Sequence, residues 1–342
     1  MTMQAYTRLT STGGARRLRR LAEAALDHYD GLDDVQLTLL SNTEHALFRV
    51  DVSSASRTDG RRFVLRIYHP DAYDAASVAV ELAWLAALCR ETELVVPEPV
   101  PARDGALRVS AEAADVPEPR ACALFRWVDG RRLKARLSAR ALERVGRFVA
   151  KLHRHAEQYI PPTGPSGQSW SWERVFGDGS VVGPASTDPL LAPEQRAVFT
   201  AVAELLRDAM EELGAAPDVF GLIHADLHSS NYLFHGKEVR AIDFEDCGRG
   251  YYLYDLAVTI DELEAELADR APELRAALLR GYREVRPLSE RHEALLDLFV
   301  AMRLAELVRW YGSTDNAALR VTAGTLLAQA MHQMTKLVSS SK

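Results

Sequence analysis

The stretch from His224 to Asp243 constrains this chain more than any other part. It reads His-Ala-Asp-Leu-His-Ser-Ser-Asn-Tyr-Leu-Phe-His-Gly-Lys-Glu-Val-Arg-Ala-Ile-Asp. Gly221 to His224 is a short apolar run of strand character, and Ala225 to Ser230 is polar and loop-like. Asn231 to His235 and Val239 to Asp243 alternate like paired strands around Gly236-Lys237-Glu238. A three-residue turn centred on Lys237 sets Asn231 and Asp243 opposite one another on one face, whereas a two-residue turn puts Asp243 on the other face. Two oxygen ligands side by side suit Mg²⁺, which takes few protein ligands and keeps places for phosphate oxygens and water. Asp226, on the preceding loop, is placed to accept a proton from an attacking hydroxyl.

Asp226 and Asn231 alone would read as ordinary loop-capping residues. The histidine two positions before Asp226, the hairpin and the Ile-Asp-Phe ending argue for more. His-x-Asp-x-x-x-x-Asn, with a further Asp beyond a hairpin, is the spacing of a kinase catalytic loop. It points to phosphoryl transfer from a nucleotide to a hydroxyl. On these residues the chain resembles the aminoglycoside phosphotransferase and choline kinase group. Within that group it is most similar to the branch of homoserine kinases of the same fold and stress-response kinase A. The carrying segments are Leu222-Ile-His-Ala-Asp-Leu-His, Ala241-Ile-Asp-Phe-Glu-Asp-Cys-Gly and Tyr251-Tyr-Leu-Tyr-Asp-Leu-Ala. Phe63-Val-Leu-Arg-Ile, Ala123-Leu-Phe-Arg-Trp-Val-Asp-Gly and Phe148-Val-Ala-Lys-Leu-His fit in the same order. The resemblance implies an α+β, two-lobed protein-kinase-like fold. A small antiparallel-sheet N-lobe would span residues 1–123 and a larger, mainly helical C-lobe residues 124–342. It implies Asp226 as base, Asn231 and Asp243 on Mg²⁺, and ATP as donor, with GTP as the alternative.

Composition agrees with a soluble, cytoplasmic enzyme. At 342 residues the chain has room for about two domains with real cores. No apolar run approaches the roughly 20 residues that span a bilayer, and no charged-then-apolar signal opens the sequence. The basic cluster Arg16 to Arg20 runs on into Leu21, Ala24, Ala25 and Leu26 as an amphipathic helix. Cys89, Cys122 and Cys247 are scattered without ligand spacing, which argues for a reducing compartment and against zinc. A net charge of −7 argues against a nucleic-acid partner.

In the N-lobe, Arg62 to Tyr68 is a β-branched apolar strand carrying Arg66. Ala75 to Arg90 is a helix with Val78, Leu82, Leu85 and Cys89 inward and Glu81 at the border of that face. A carboxylate there needs a partner or a wet edge. The kinase plan pairs a strand cation with a helix glutamate to hold the α- and β-phosphates, and Arg66 and Glu81 fit those roles. Arginine stands where most kinases have lysine, so the phosphate contact has a planar fork rather than a point charge. Gln36 to Val50 is the place of a phosphate loop, yet it holds no glycine. Ser41, Asn42 and Thr43 offer hydroxyls and backbone N–H groups to phosphate instead, or form a plain polar hairpin turn. Ala121 to Val128 is expected as the strand leading to the lobe connection, with backbone near Phe125 to Trp127 meeting the adenine edge or, as the equal alternative, serving only as a buried structural strand.

In the C-lobe, Ala139 to His155 and Pro193 to Leu213 have helical periodicity. Ile160 to Pro193, with Trp170 and Trp172, is a long loop bordering the acceptor site or docked on the core. Asp243, Glu245 and Asp246 crowd three acids together and ask for cations. The resemblance gives Asp255 and His224 supporting roles; His228 reads as structural or substrate-touching. Asp255 to Asp269 holds six acids and no base. Leu256, Ile260, Leu263 and Leu267 define its inner face, so Glu262, Glu266 and Asp269 are expected on a solvated one. The acceptor is expected to be a small-molecule alcohol: an amino alcohol, a sugar-like compound or an aminoglycoside. A protein hydroxyl is the alternative, and a non-catalytic nucleotide-binding module the third reading. The sequence does not fix the oligomeric state.

Overall fold

The computed structural model describes residues 11–42, 45–53, 61–70, 74–114, 116, 118–133, 136–162, 167–177, 191–313 and 317–340. The chain divides into two units, Met1–Asp129 and Gly130–Lys342.

Alternating apolar residues build the first unit. Its sheet has the order β1-β2-β3-β5-β4, from β1 (Val35–Asn42), β2 (Ala46–Val52), β3 (Arg62–Ile67), β4 (Val109–Ala111) and β5 (Arg120–Arg126). All four pairings are antiparallel. Phe48, Val50, Phe63 and Leu65 point into a core closed by Leu18, Leu21, Ala22 and Ala25 of α1 (Ser11–Leu26). The Arg16–Arg20 cluster therefore belongs to the amphipathic helix its spacing predicts. Helix α2 (Ala75–Glu91) is N-capped by Asp74, whose carboxylate accepts from Ala76 and Ser77 N–H. The expected boundary at 123/124 falls inside β5, which pairs with β3 on one side and β4 on the other and so lies wholly in the first unit.

The second unit is mainly helical. It holds α3 (Ala139–Gln158), α4 (Trp172–Phe176), α5 (Pro193–Leu213), α6 (Tyr252–Glu266), α7 (Ala271–Arg283), α8 (Glu290–Ala294), α9 (Leu296–Ser313) and α10 (Ala317–Ser340). A small sheet of order β6-β10-β7 joins β6 (Ser169–Trp170), β7 (Phe220–Ile223) and β10 (Gly248–Tyr251). A separate hairpin pairs β8 (Tyr232–His235) with β9 (Glu238–Ala241). Helices α3 and α7 cross through facing glycines. A Cβ on Gly281 would lie 1.9 Å from Glu143 O, and one on Gly146 would lie 2.0 Å from Leu278 O. That close approach brings Tyr282 of α7 against His153 of α3.

The long segment expected between residues 160 and 193 contains β6 and α4, and residues 163–166 and 178–190 lie outside the described part. Trp170 is buried, and its Nε1–H donates to Asp246 O over 2.8 Å. Trp172 Nε1–H donates to Ala203 O over 2.7 Å. Both indoles are thus docked on the unit's own framework. No helix among the described residues is long and apolar enough to cross a membrane.

Candidate active site

In the first unit, Arg66 leaves β3 and meets Glu81 of α2. One guanidinium nitrogen, Nη1, donates to both carboxylate oxygens, at 2.8 and 3.0 Å. Both residues are buried, with Glu81 1% and Arg66 6% exposed. Two charges this dry need counter-charges, and each supplies one to the other. The guanidinium also faces the rings of Phe125 and Tyr68, at 5.3 and 5.8 Å.

Other expected nucleotide contacts are less simple. Ser41 and Asn42 end β1, with Asn42 paired to Ala46 across the hairpin, while Thr43 lies outside the described residues. Trp127 N–H donates to Arg62 O at 3.1 Å and Arg126 N–H to Glu98 O at 2.9 Å. Those two amides are committed inside the unit. The side chain of Phe125 is buried against Arg66. Trp127 carries the Arg62 guanidinium 5.4 Å from its ring centre.

In the second unit, the chain leaves β7 at Ile223 and enters a loop stabilised almost residue by residue. Ala225 has φ +68°, a left-handed conformation that is costly for a residue with a Cβ. Asp255, fully buried on α6, holds it there. Its carboxylate accepts from Ala225 N–H at 2.7 Å, from His224 N–H at 3.0 Å and from His153 Nε2 at 2.9 Å. Behind His153, Tyr282 OH lies 3.0 Å from Nδ1, and Arg286 Nη1 donates to that hydroxyl. One consistent set of donors runs from Arg286 through Tyr282 and His153 to Asp255. Burial outweighs the Asp255 carboxylate and lowers the His153 pKa, which keeps the ring neutral, as that chain requires.

His224 closes the loop from its other end. Its Nδ1 accepts from Asp226 N–H at 3.3 Å, and its Nε2 meets Ile242 O at 3.1 Å. Leu227 O accepts from Thr259 Oγ1 at 2.8 Å and from Tyr232 OH. Glu262 accepts from both Ser229 N–H, at 2.5 Å, and Ser229 Oγ, at 2.6 Å. Glu262 was expected on the solvated face of α6. Glu266 and Asp269 are indeed exposed, but Glu262 turns to the loop, where two unsatisfied donors outweigh solvation.

Asp226 is gripped on both oxygens. Asn231 Nδ2 donates to Asp226 Oδ2 at 3.0 Å and to its backbone O at 2.9 Å. His228 Nε2 lies 3.3 Å from the same Oδ2. Oδ1 accepts from Arg303 Nη2 at 2.7 Å. Burial pushes the Asp226 pKa up, but the His228 hydrogen bond and the charges of Arg303 and the two histidines outweigh it and leave the pKa lowered. His228 moves the opposite way: burial resists its protonation, and the bond to Asp226 with the charges of Asp226 and Glu262 raises its pKa overall. Asp246 is pushed up to about 7 by burial, with Asp226 and Glu306 adding repulsion.

The hairpin takes the two-residue alternative. His235 pairs with Glu238, so the turn is the two residues Gly236 and Lys237, with glycine at φ +58° in the first place. Asn231 then faces Ile242, whose N–H donates to Asn231 O at 3.0 Å, and not Asp243. Asp243 comes next with φ +68°, so the alternation that would have turned it to the wrong face ends at Ile242. Aspartate tolerates this conformation better than most residues.

Arg303 escaped the sequence reading. It lies four residues after Phe299 and seven after Leu296, on the inner face of α9, and is 9% exposed. An arginine on an apolar helix face demands buried acceptors, and that was the available signal. Trp310 and Tyr311, near the end of the same helix, pack edge-to-face on each other.

Comparison with known proteins agrees with this architecture. The sequence profile described as the phosphotransferase enzyme family matches residues 48–294. A homoserine kinase of Rhodospirillum rubrum is 31% identical over 67% of this chain and 68% of its own length. A serine/threonine protein kinase, RdoA, of Salmonella typhimurium is 23% identical over 81% of this chain and 77% of its own. The solved structure of a microcompartment-associated aminopropanol kinase superposes with a TM-score of 0.78 at 32% identity, covering 93% of this chain and 97% of the other. The chain belongs to the phosphotransferase enzyme family and is a kinase of the protein-kinase-like α+β fold.

Proposed function

We propose that this enzyme moves the γ-phosphoryl group of ATP to the hydroxyl of a small amino alcohol, with Asp226 as the base. The observation that carries this reading is the grip on Asp226. Its carboxylate is fixed through both oxygens, and the residue five positions on, Asn231, is one of the groups fixing it. A lowered pKa keeps the carboxylate ionised and ready to orient a hydroxyl and take its proton.

Asn231 and Asp243 are the residues that would hold Mg²⁺. The Asn231 amide nitrogen is spent on Asp226, which leaves its carbonyl oxygen as the ligand atom. Among the described residues no group of three or more His, Cys, Asp or Glu side chains is placed to hold a metal. A site with two protein oxygens, completed by phosphate and water, is what Mg²⁺ accepts. When bound, the ion neutralises charge on the phosphate oxygens. In the first unit, Arg66, braced by Glu81, is the phosphate-binding cation, with Ser41 and Asn42 as further contacts.

The amino alcohol class rests on relatives named for homoserine and aminopropanol. The RdoA relative keeps a protein hydroxyl as the second reading. The test is label transfer from γ-labelled Mg-ATP into a panel of homoserine, aminopropanol, choline and aminoglycosides, beside a pool of cellular protein. Label in a small molecule, absent with Asp226→Ala, supports the proposal. Label confined to protein selects the second reading, and label in neither overturns both.

A further inference from the structure

We propose that Arg303 is a positioning residue of the phosphoryl-transfer reaction, holding from α9 the carboxylate oxygen of Asp226 that receives the acceptor's proton. This rests on the reading of Asp226 as the base.

The argument is a count of lone pairs. Each carboxylate oxygen offers two in-plane acceptor positions. On Oδ2 one is taken by Asn231 Nδ2 at 3.0 Å, and His228 Nε2, an ion-pair neighbour at 3.3 Å, crowds the other side. On Oδ1 one is taken, by Arg303 Nη2 at 2.7 Å. The remaining place for a hydroxyl donor is therefore on Oδ1. As the hydroxyl oxygen bonds to phosphorus and the bond to the nucleoside diphosphate breaks, its proton passes to Oδ1. The direction in which that oxygen faces is set by Arg303, 77 residues further along the chain.

The arginine is itself held. Its Nη1 donates to Glu306 Oε2 at 3.2 Å, one turn along α9, so the two guanidinium arms are anchored on different carboxylates. The planar fork makes this a directional restraint, which a lysine ammonium does not reproduce. The grip also reaches Asn231. With Oδ2 fixed, Asn231 Nδ2 donates to that oxygen and to the Asp226 backbone O, and its carbonyl oxygen turns accordingly.

The test uses the full-length enzyme, Mg-ATP and the acceptor that takes label in the panel above. Arg303→Ala, Arg303→Lys and Glu306→Gln are compared with the wild type. Misorientation of a catalytic group costs on the order of 10²-fold. Arg303→Ala is expected to lose about that much kcat while KM for Mg-ATP stays within about threefold. Added guanidinium ion should restore part of the rate to Arg303→Ala, and Arg303→Lys should fall between the two. Glu306→Gln should lose less than Arg303→Ala. Thermal melting covers the case in which the alanine variant unfolds, because Arg303→Lys then decides. A folded Arg303→Lys with wild-type kcat overturns the proposal. So does a parallel loss of kcat and nucleotide affinity without guanidinium rescue, which would mark a purely structural cation. A wild type that labels no acceptor overturns the reading of the base itself, a result separable from the other two.

Discussion

Asp255 holds the loop that carries Asp226, and Asp255→Asn is the perturbation that reads this support. The aspartate accepts three hydrogen bonds, from the backbone of His224 and Ala225 and from His153, with no exposure to water. Asparagine keeps one carbonyl oxygen and turns the other acceptor into an NH₂, which faces a donor. At least one bond is lost and the others lose their charge. Hydrogen bonds to charged groups contribute about 1.5–3 kcal/mol each, so the loop loses about 3 kcal/mol of support. The left-handed backbone at Ala225 costs about 1–2 kcal/mol, which these bonds now offset. At 1.36 kcal/mol per factor of ten, the loss corresponds to a fall in kcat of about 150-fold if it is all expressed in the placement of Asp226. The assay pairs steady-state transfer with amide hydrogen exchange at His224 and Ala225. The expected result is a large loss of kcat with faster exchange at both amides. A variant with wild-type kcat and wild-type protection would show that Asp255 does not hold the loop.

Glu81→Ala should destabilise the protein by about 3–5 kcal/mol in urea titration, because it strands the Arg66 charge in a dry site, and KM for Mg-ATP should rise as Arg66 loses its brace. Asp261 is pushed up to about 7, chiefly by burial, with Glu264 and Glu262 adding to it and Arg303 opposing. An acid with a raised folded-state pKa favours the fold while protonated, and that contribution disappears as pH rises through the folded value. Asp261→Asn should therefore stabilise the protein by a few kcal/mol more at about pH 8 than at about pH 4; equal melting shifts at the two ends would contradict the burial.

Much of this was legible in the chain because it is local. Apolar spacing marks α2, α3 and α5 within a few residues of their observed ends, and the order of strand cation and helix glutamate foretells the contact between Arg66 and Glu81. The hairpin register stayed open because Gly-Lys-Glu is compatible with turns of two or three residues, and alternation cannot choose between them. The left-handed backbone of Asp243 is likewise invisible to a period-two pattern, since it begins where the strand ends. Glu262 and Arg303 were missed for a different reason. Their partners, Ser229 and Asp226, lie 33 and 77 residues away in the chain. Such pairs form only when helices pack, and a helical wheel records the face of a residue without naming what that face meets.

The central claim is that Asp226 serves as the base for phosphoryl transfer. The most direct test is single-turnover transfer from Mg-ATP to the labelled acceptor by the wild type and by Asp226→Asn, with nucleotide affinity measured alongside. The account predicts a fall of about 10²- to 10⁴-fold in the transfer step, with nucleotide affinity little changed. Transfer by Asp226→Asn at close to the wild-type rate would contradict it.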